Sequence, residues 1–154
     1  VPMGGEIMGA GADDRFSMAI EAQADPKSGY LDRIQVVKGW IDATGEAQER
    51  VYDAAWSGDD RLPPDGSLAA VGSSVDLKTG LTANSIGSPR LTVVWQDPEF
   101  DPEQSAFYYA RVLQIPTARH SLLDKLALGD EDIDTRRPDT IQERAYTSPI
   151  WYRP

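Results

Sequence analysis

Apolar side chains recur at every second position in three separate stretches of the chain: Phe16, Met18, Ile20 and Ala22; Leu91, Val93 and Trp95; and Ala106, Tyr108, Ala110 and Val112. That period belongs to an extended strand, whose successive side chains point to opposite faces, and a helix cannot satisfy it. The chain must therefore build sheets that bury one face. Leu31 to Ile41, LDRIQVVKGWI, is rich in β-branched residues and follows the turn-forming DPKSG, which predicts a further strand. Lys38 interrupts the face carrying Ile34, Val36 and Trp40, so the register of this strand stays open. A turn over 42–46, DATGE, leads to ERVYDAAWS, where Tyr52, Ala54 and Trp56 share a face, and the two runs read as a hairpin.

A helical pattern occurs in HSLLDKLALGDED, with Leu122, Leu123 and Leu126 on one side, Ser121 as a cap and Gly129 as a stop. Residues 57–89 are too many for bare loop in a compact domain, which predicts weak strands near 71–77 and 81–86. There is no internal repeat. The fold expected is mainly β: an antiparallel two-sheet sandwich, immunoglobulin-like, with one short peripheral helix, forming a single domain over residues 1–154.

The chain closes on TIQERAYTSPIWYRP, where most proteins fray into polar disorder. Pairing of this run with FYYARVLQI as the last two strands of one sheet would tie the end down, with Ile150 and Trp151 docked against the sandwich. Pro149 lacks the N–H of a ladder hydrogen bond and belongs at a bulge or an edge.

Asp and Glu number 25 against 15 Lys and Arg, a net charge of -10. Nucleic acid and anionic lipid would both be repelled by it. No apolar run approaches the ~18 residues needed to span a bilayer. The absence of cysteine excludes disulfides, zinc ribbons and thiol catalysis, and leaves the compartment open. Val1 in first position suggests a processed or excised piece of a longer protein.

Each chemical signal has a plain reading that outweighs it. GGEIMGAGADD could offer backbone N–H groups to a phosphate, but it fits neither phosphate-loop pattern and reads as a flexible or interdomain loop. Asp130, Asp132 and Asp134 have the spacing of a calcium loop; Thr135 and Ile141 stand where that loop needs Gly and Glu, so the run reads as solvated. Asp97, Glu99, Asp101 and Glu103 in DPEFDPE read as a turn before a strand. His120, the single histidine, reads as a surface or capping residue. Trp40, Trp56, Trp95 and Trp151 could stack sugars, yet three of the four sit on apolar alternations and belong to the core.

The segments VPMGGEI, LDRIQVVKGW, VYDAAWS, DPEFDPEQSAFYYARVLQIPT and TIQERAYTSPIWY resemble the C-terminal β-rich part of a bacterial domain-of-unknown-function family related to the PHP metallophosphoesterases. The resemblance implies an accessory domain cut from an N-terminal catalytic domain of the same chain, where any divalent metal would sit. It carries no catalytic, cofactor or metal residue onto this segment, and it implies no enzyme here. Met3, Gly4, Gly5 and Glu6 then form a candidate interdomain or ligand loop. Two functions follow: a non-catalytic interaction domain, or a carbohydrate-binding-like sandwich. An exposed aromatic row would favour the second, and buried tryptophans the first.

Overall fold

The computed structural model describes residues 1–11, 13–58, 61, 68–129 and 135–154. Its elements in chain order are β1 (Glu6–Met8), β2 (Ser17–Gln23), β3 (Leu31–Ile41), β4 (Ala47–Trp56), β5 (Arg90–Gln96), β6 (Ala106–Gln114), β7 (Thr117–Ala118), α1 (His120–Leu128), β8 (Thr140–Ile141), β9 (Arg144–Tyr146) and β10 (Ile150–Arg153). A six-stranded sheet runs β1-β10-β6-β3-β4, with β9 also paired to β6. A two-stranded sheet, β2-β5, packs against it, and β7-β8 forms a small ribbon. Among the described residues the fold is mainly β and sandwich-like, with largely antiparallel sheets packed together, as the alternations predict, and one helix. No helix among the described residues is long and apolar enough to cross a membrane.

The core fills the space between the two main sheets. Phe16 and Met18 from the β2 side meet Val36, Ala106, Tyr108, Ile150 and Tyr152 from the large sheet, and Trp40 and Trp95 pack against that cluster. Leu31, Ile34, Leu91 and Ala110 form a second cluster. The buried residues of β2, β5 and β6 lie on the faces that their alternations assign to the core.

Lys38 settles the register of β3. It shares the inward face with Ile34 and Val36 and is 3% exposed, and its Nζ lies 2.7 Å from Oδ2 of Asp97, itself 1% exposed. The same Nζ donates to the Glu99 carbonyl at 2.7 Å, the Tyr108 hydroxyl donates to Asp97 Oδ2 at 2.8 Å, and the Glu99 N–H donates to Oδ1 at 2.9 Å. The rings of Trp40 and Tyr108 flank the ammonium at 5.4 and 5.7 Å. The interruption seen in the sequence is thus a buried, hydrogen-bonded ion pair flanked by two rings. Glu99 extends the network outward to the Tyr52 hydroxyl and to Arg50 on β4.

Five expectations need correction. The bulge opposite Ile34 and Gln35 brings Ala55 to the core beside Ile34, so Trp56 leaves the face that Tyr52 and Ala54 share. GGEIMGA is not wholly loop: Glu6–Met8 is a strand that pairs in parallel with β10, Glu6 opposite Trp151. In 71–86, where two weak strands were expected, the structure has a single bridge, Val75 to Thr82, since turn residues dominate there. Ser121 does not cap α1; Arg119 holds the N-cap position without a side-chain bond, while Ser121 lies inside the first turn and its hydroxyl donates to the Pro138 carbonyl. Gly129 does stop the helix, at φ 64°. Finally, Trp151 does not dock inward. Ile150 and Tyr152 share the inner face, and Trp151 between them must point out. The pairing of β10 with β6 is as expected, and Pro149 sits at the break between β9 and β10.

The hairpin turn after β3 is built on Asp42. Its Oδ1 accepts from the Thr44 hydroxyl at 2.6 Å and from the Thr44 and Glu46 N–H groups, and Oδ2 accepts from Gln48. These bonds, Thr44 foremost, lower its pKa from 3.8 to about 2. A carboxyl depressed in this way stabilises the fold above its unfolded pKa and loses that contribution as pH falls through the folded value. Carboxyl titration by NMR should therefore give Asp42 a midpoint near 2, and a midpoint at the ordinary value would contradict the turn. For the buried pair, Lys38→Ala should cost about 3–5 kcal/mol because it strands the Asp97 charge, and replacing both partners by apolar residues, Lys38→Met with Asp97→Leu, should recover most of that loss. Denaturant melts measure both.

Candidate functional site

β6 turns Ala106, Tyr108 and Ala110 into the core, so Phe107 and Tyr109 face outward on the far side of the large sheet. Trp151 of β10 and Tyr146 of β9 join them, 47% and 57% exposed. The four rings form a continuous band: Trp151 to Phe107 at 5.4 Å, Phe107 to Tyr109 at 6.3 Å with only 8° between their planes, and Tyr109 to Tyr146 at 6.2 Å. Gly39 of β3 lies opposite Phe107, and a Cβ there would stand 2.3 Å from the ring. The absent side chain lets Phe107 lie flat on the sheet, a known way for an aromatic to cover a strand glycine.

Two hollows flank the band. One of about 600 Å³ opens between Gly39, Trp40, Gln48, Phe107 and Trp151. A second of about 330 Å³ lies between Phe107, Tyr109, Tyr146, Pro149 and Trp151. Both are lined chiefly by carbon; the larger has Glu49 and Arg153 at its margin, Arg153 being paired with Glu6.

The candidate loop adjoins this band. Met3 is exposed, the Gly4 N–H donates to the Pro149 carbonyl at 3.1 Å, and the Gly5 carbonyl accepts from the Trp151 N–H at 3.0 Å. Because the Gly4 and Gly5 N–H groups are already bonded to Pro149 and Pro2, they are not free to cradle a phosphate. Glu6 is held by Arg153. Glu6, opposite Trp151, lies at the edge of the aromatic band, whereas Met3 lines the groove beside β2.

The other sequence candidates lie apart. His120 is exposed at the start of α1. Asp97 and Asp101 form turns, accepting from the Glu99 and Glu103 N–H groups at 2.9 Å each. Asp130, Asp132 and Asp134 lie outside the described residues. Among the described residues no group of three or more His, Cys, Asp or Glu could hold a metal ion. Trp40, Trp56 and Trp95 are partly buried. Burial, and then the Asp97 carboxylate, push the Tyr108 hydroxyl well above its usual pKa, so it stays protonated and donates to that carboxylate. Tyr52 is raised for the same first reason, with Glu99 as its partner. Asp32 is buried between Arg33, Arg61 and Gln142. Arg61 Nη1 stands 2.7 Å from its Oδ1 yet off the line of a directed hydrogen bond, so that contact is ionic.

The fold and the site define a mainly β domain with an open aromatic face. The chain belongs to the family of proteins of unknown function called DUF3604, whose model matches residues 1–154. No curated protein and no solved structure matches it.

The seat of Phe107 can be tested directly. Gly39→Ala should destabilise the domain by about 1–3 kcal/mol, the usual cost of overpacking. Phe107→Ala should remove that penalty, so a double-mutant cycle will show strong coupling. Additive effects would mean that the ring does not rest on Gly39.

Proposed function

We propose that this chain is a non-catalytic accessory domain of a PHP-like metal-dependent phosphoesterase, and that its aromatic face seats the catalytic domain of the same protein. The observation that carries this reading is the band of Trp151, Phe107, Tyr109 and Tyr146, exposed at its two ends and half-buried at Phe107 and Tyr109, beside Gly5 and Glu6. Contiguous exposed aromatics are uncommon on monomers and mark contact surfaces. Interfaces between domains of one chain typically cover ~600–1,500 Å² with an apolar centre and a charged margin, the pattern found around Trp151. The reactive groups of the domain point the same way: Lys38, Asp97 and Tyr108 satisfy one another inside the core and reach no opening.

By the criterion of an aromatic row, this band, with the nearly parallel rings of Phe107 and Tyr109, favours a second reading, a stacking platform for carbohydrate, while the partial burial of Trp40, Trp56 and Trp95 favours the first. A sugar also needs polar groups beside the stack for its hydroxyls. The 330 Å³ hollow supplies few beyond the two tyrosines and Thr147, and Trp151 is tilted 51° from Phe107 instead of continuing the plane. A protein surface suits this band better.

The test expresses the upstream part of the gene product and this domain separately and measures their association by calorimetry. A one-to-one complex is expected, weakened at least ten-fold by Trp151→Ser combined with Tyr146→Ser, with little change in the melting of the isolated domain. Binding of cellohexaose or laminarihexaose with no protein complex would replace the first reading by the second.

A further inference from the structure

The two main sheets differ in width, six strands against two, and the sandwich is closed on one side only. β4 and β5 approach each other along that side. On the other, β2 has no second neighbour among the described residues. Two grooves run along its free edge and meet at Glu21. One, of about 470 Å³, lies between Ser17–Glu21 and the buried wall at Ala110 and Ile150, with Val1, Pro2 and Met3 along its far rim. The next, of about 400 Å³, lies between Glu21–Asp25 and Val112, Arg144 and Ala145.

The edge itself is ready to pair. Phe16 accepts from the Asp97 N–H and Ala24 donates to the Pro89 carbonyl, which fixes the phase of the β2-β5 ladder. In an antiparallel pair the bonded residues alternate. Met18, Ile20 and Ala22 therefore direct their backbone groups to β5, and Ser17, Ala19, Glu21 and Gln23 direct theirs into the grooves. Natural edges are usually guarded by bulges, prolines, lysines or brevity. β3-β4, which bears the opposite edge strand of the large sheet, has a bulge, and β1 is only three residues long. β2 is seven residues long, with an unbroken register and no proline, glycine or lysine in SMAIEAQ.

We propose that β2 accepts an extended segment of the partner domain, which becomes the third strand of the small sheet and covers the half-buried Val112 and the exposed Ala145 of the large one. The proposal rests on the accessory-domain reading only for the existence of a partner, and it uses a different surface. Main-chain pairing would hold the segment, as in other cases of strand addition. Seven residues of strand span about 20 Å, so the segment is about that long. Its inward side chains must be apolar and of modest size to lie over Ala110, Val112, Ala145 and Ile150. Asp25 and Glu143 at the far end favour a Lys or Arg there. A second copy pairing through its own β2 would instead protect the same four amides in the isolated domain.

Amide exchange in the isolated domain and in the full-length gene product tests this. In the isolated domain the amides of Ser17, Ala19, Glu21 and Gln23 should exchange within ten-fold of the unprotected rate. In the full-length product they should slow at least 100-fold. Ala19→Pro removes a donor that the β5 ladder does not use, so the isolated domain should melt almost unchanged while protection is lost in the full-length product. Protection of the four amides in the isolated domain, or none in the full-length product, overturns the proposal. If Trp151→Ser and Tyr146→Ser leave association intact while β2 stays protected, the aromatic-face reading fails and strand addition stands; the opposite pattern removes strand addition alone.

Discussion

The buried pair of Lys38 and Asp97 holds this fold to one arrangement. Bringing two charges out of water costs several kcal/mol per ion unless their remaining hydrogen-bonding capacity is met. Here the partners come from three elements: the ammonium is bonded by Asp97 and the Glu99 carbonyl, the carboxylate by Tyr108 and the Glu99 N–H. The contacts join β3 and β6 of the large sheet to the turn that leaves β5 of the small one. A slip of β3 by one residue would move Lys38 to the outer face and leave Asp97 alone in the core. The pair therefore acts less as a source of stability than as a lock on register.

That lock was the least legible feature in the sequence. Period-two alternation placed the core strands and faces of β2, β5 and β6 directly, because burial of one face is a local pattern. Lys38 looked like a defect because its partner lies 59 residues away and nothing local points to it. β1 was missed for a related reason. Three residues between glycines carry no periodicity, and the strand exists only because β10 is there to pair with it. In the same way Arg119, not Ser121, became the cap of α1 because packing near Pro138 outweighed local preference.

The candidate surface was legible in part. FYYARV is bulky at odd as well as even positions, so a strand built from it has two faces to cover. Grouping Trp151 with Ile150 obscured this, since adjacent residues in a strand cannot share a face. Once Tyr152 takes the inner position, Trp151 must join Phe107 and Tyr109 outside. Gly39 is the remaining clue. Glycine in a central strand weakens it, and its presence signals a close approach from across the sheet, here by the ring of Phe107.

The parallel pairing of β1 with β10 gives the domain a mechanical character. Glu6 enters the pair opposite Trp151, and Met8 leaves it opposite Arg153. Tension applied through the leading end of β1 and the trailing end of β10 pulls the two strands lengthwise past each other. Every hydrogen bond of the clasp then bears load together, as in shear, whereas an antiparallel hairpin would open one bond at a time. With Gly4 and Gly9 also bonded to Pro149 and Arg153, the clasp is longer than its three paired residues. A small domain fastened in this way can bear a pull between its two ends while its core stays shut.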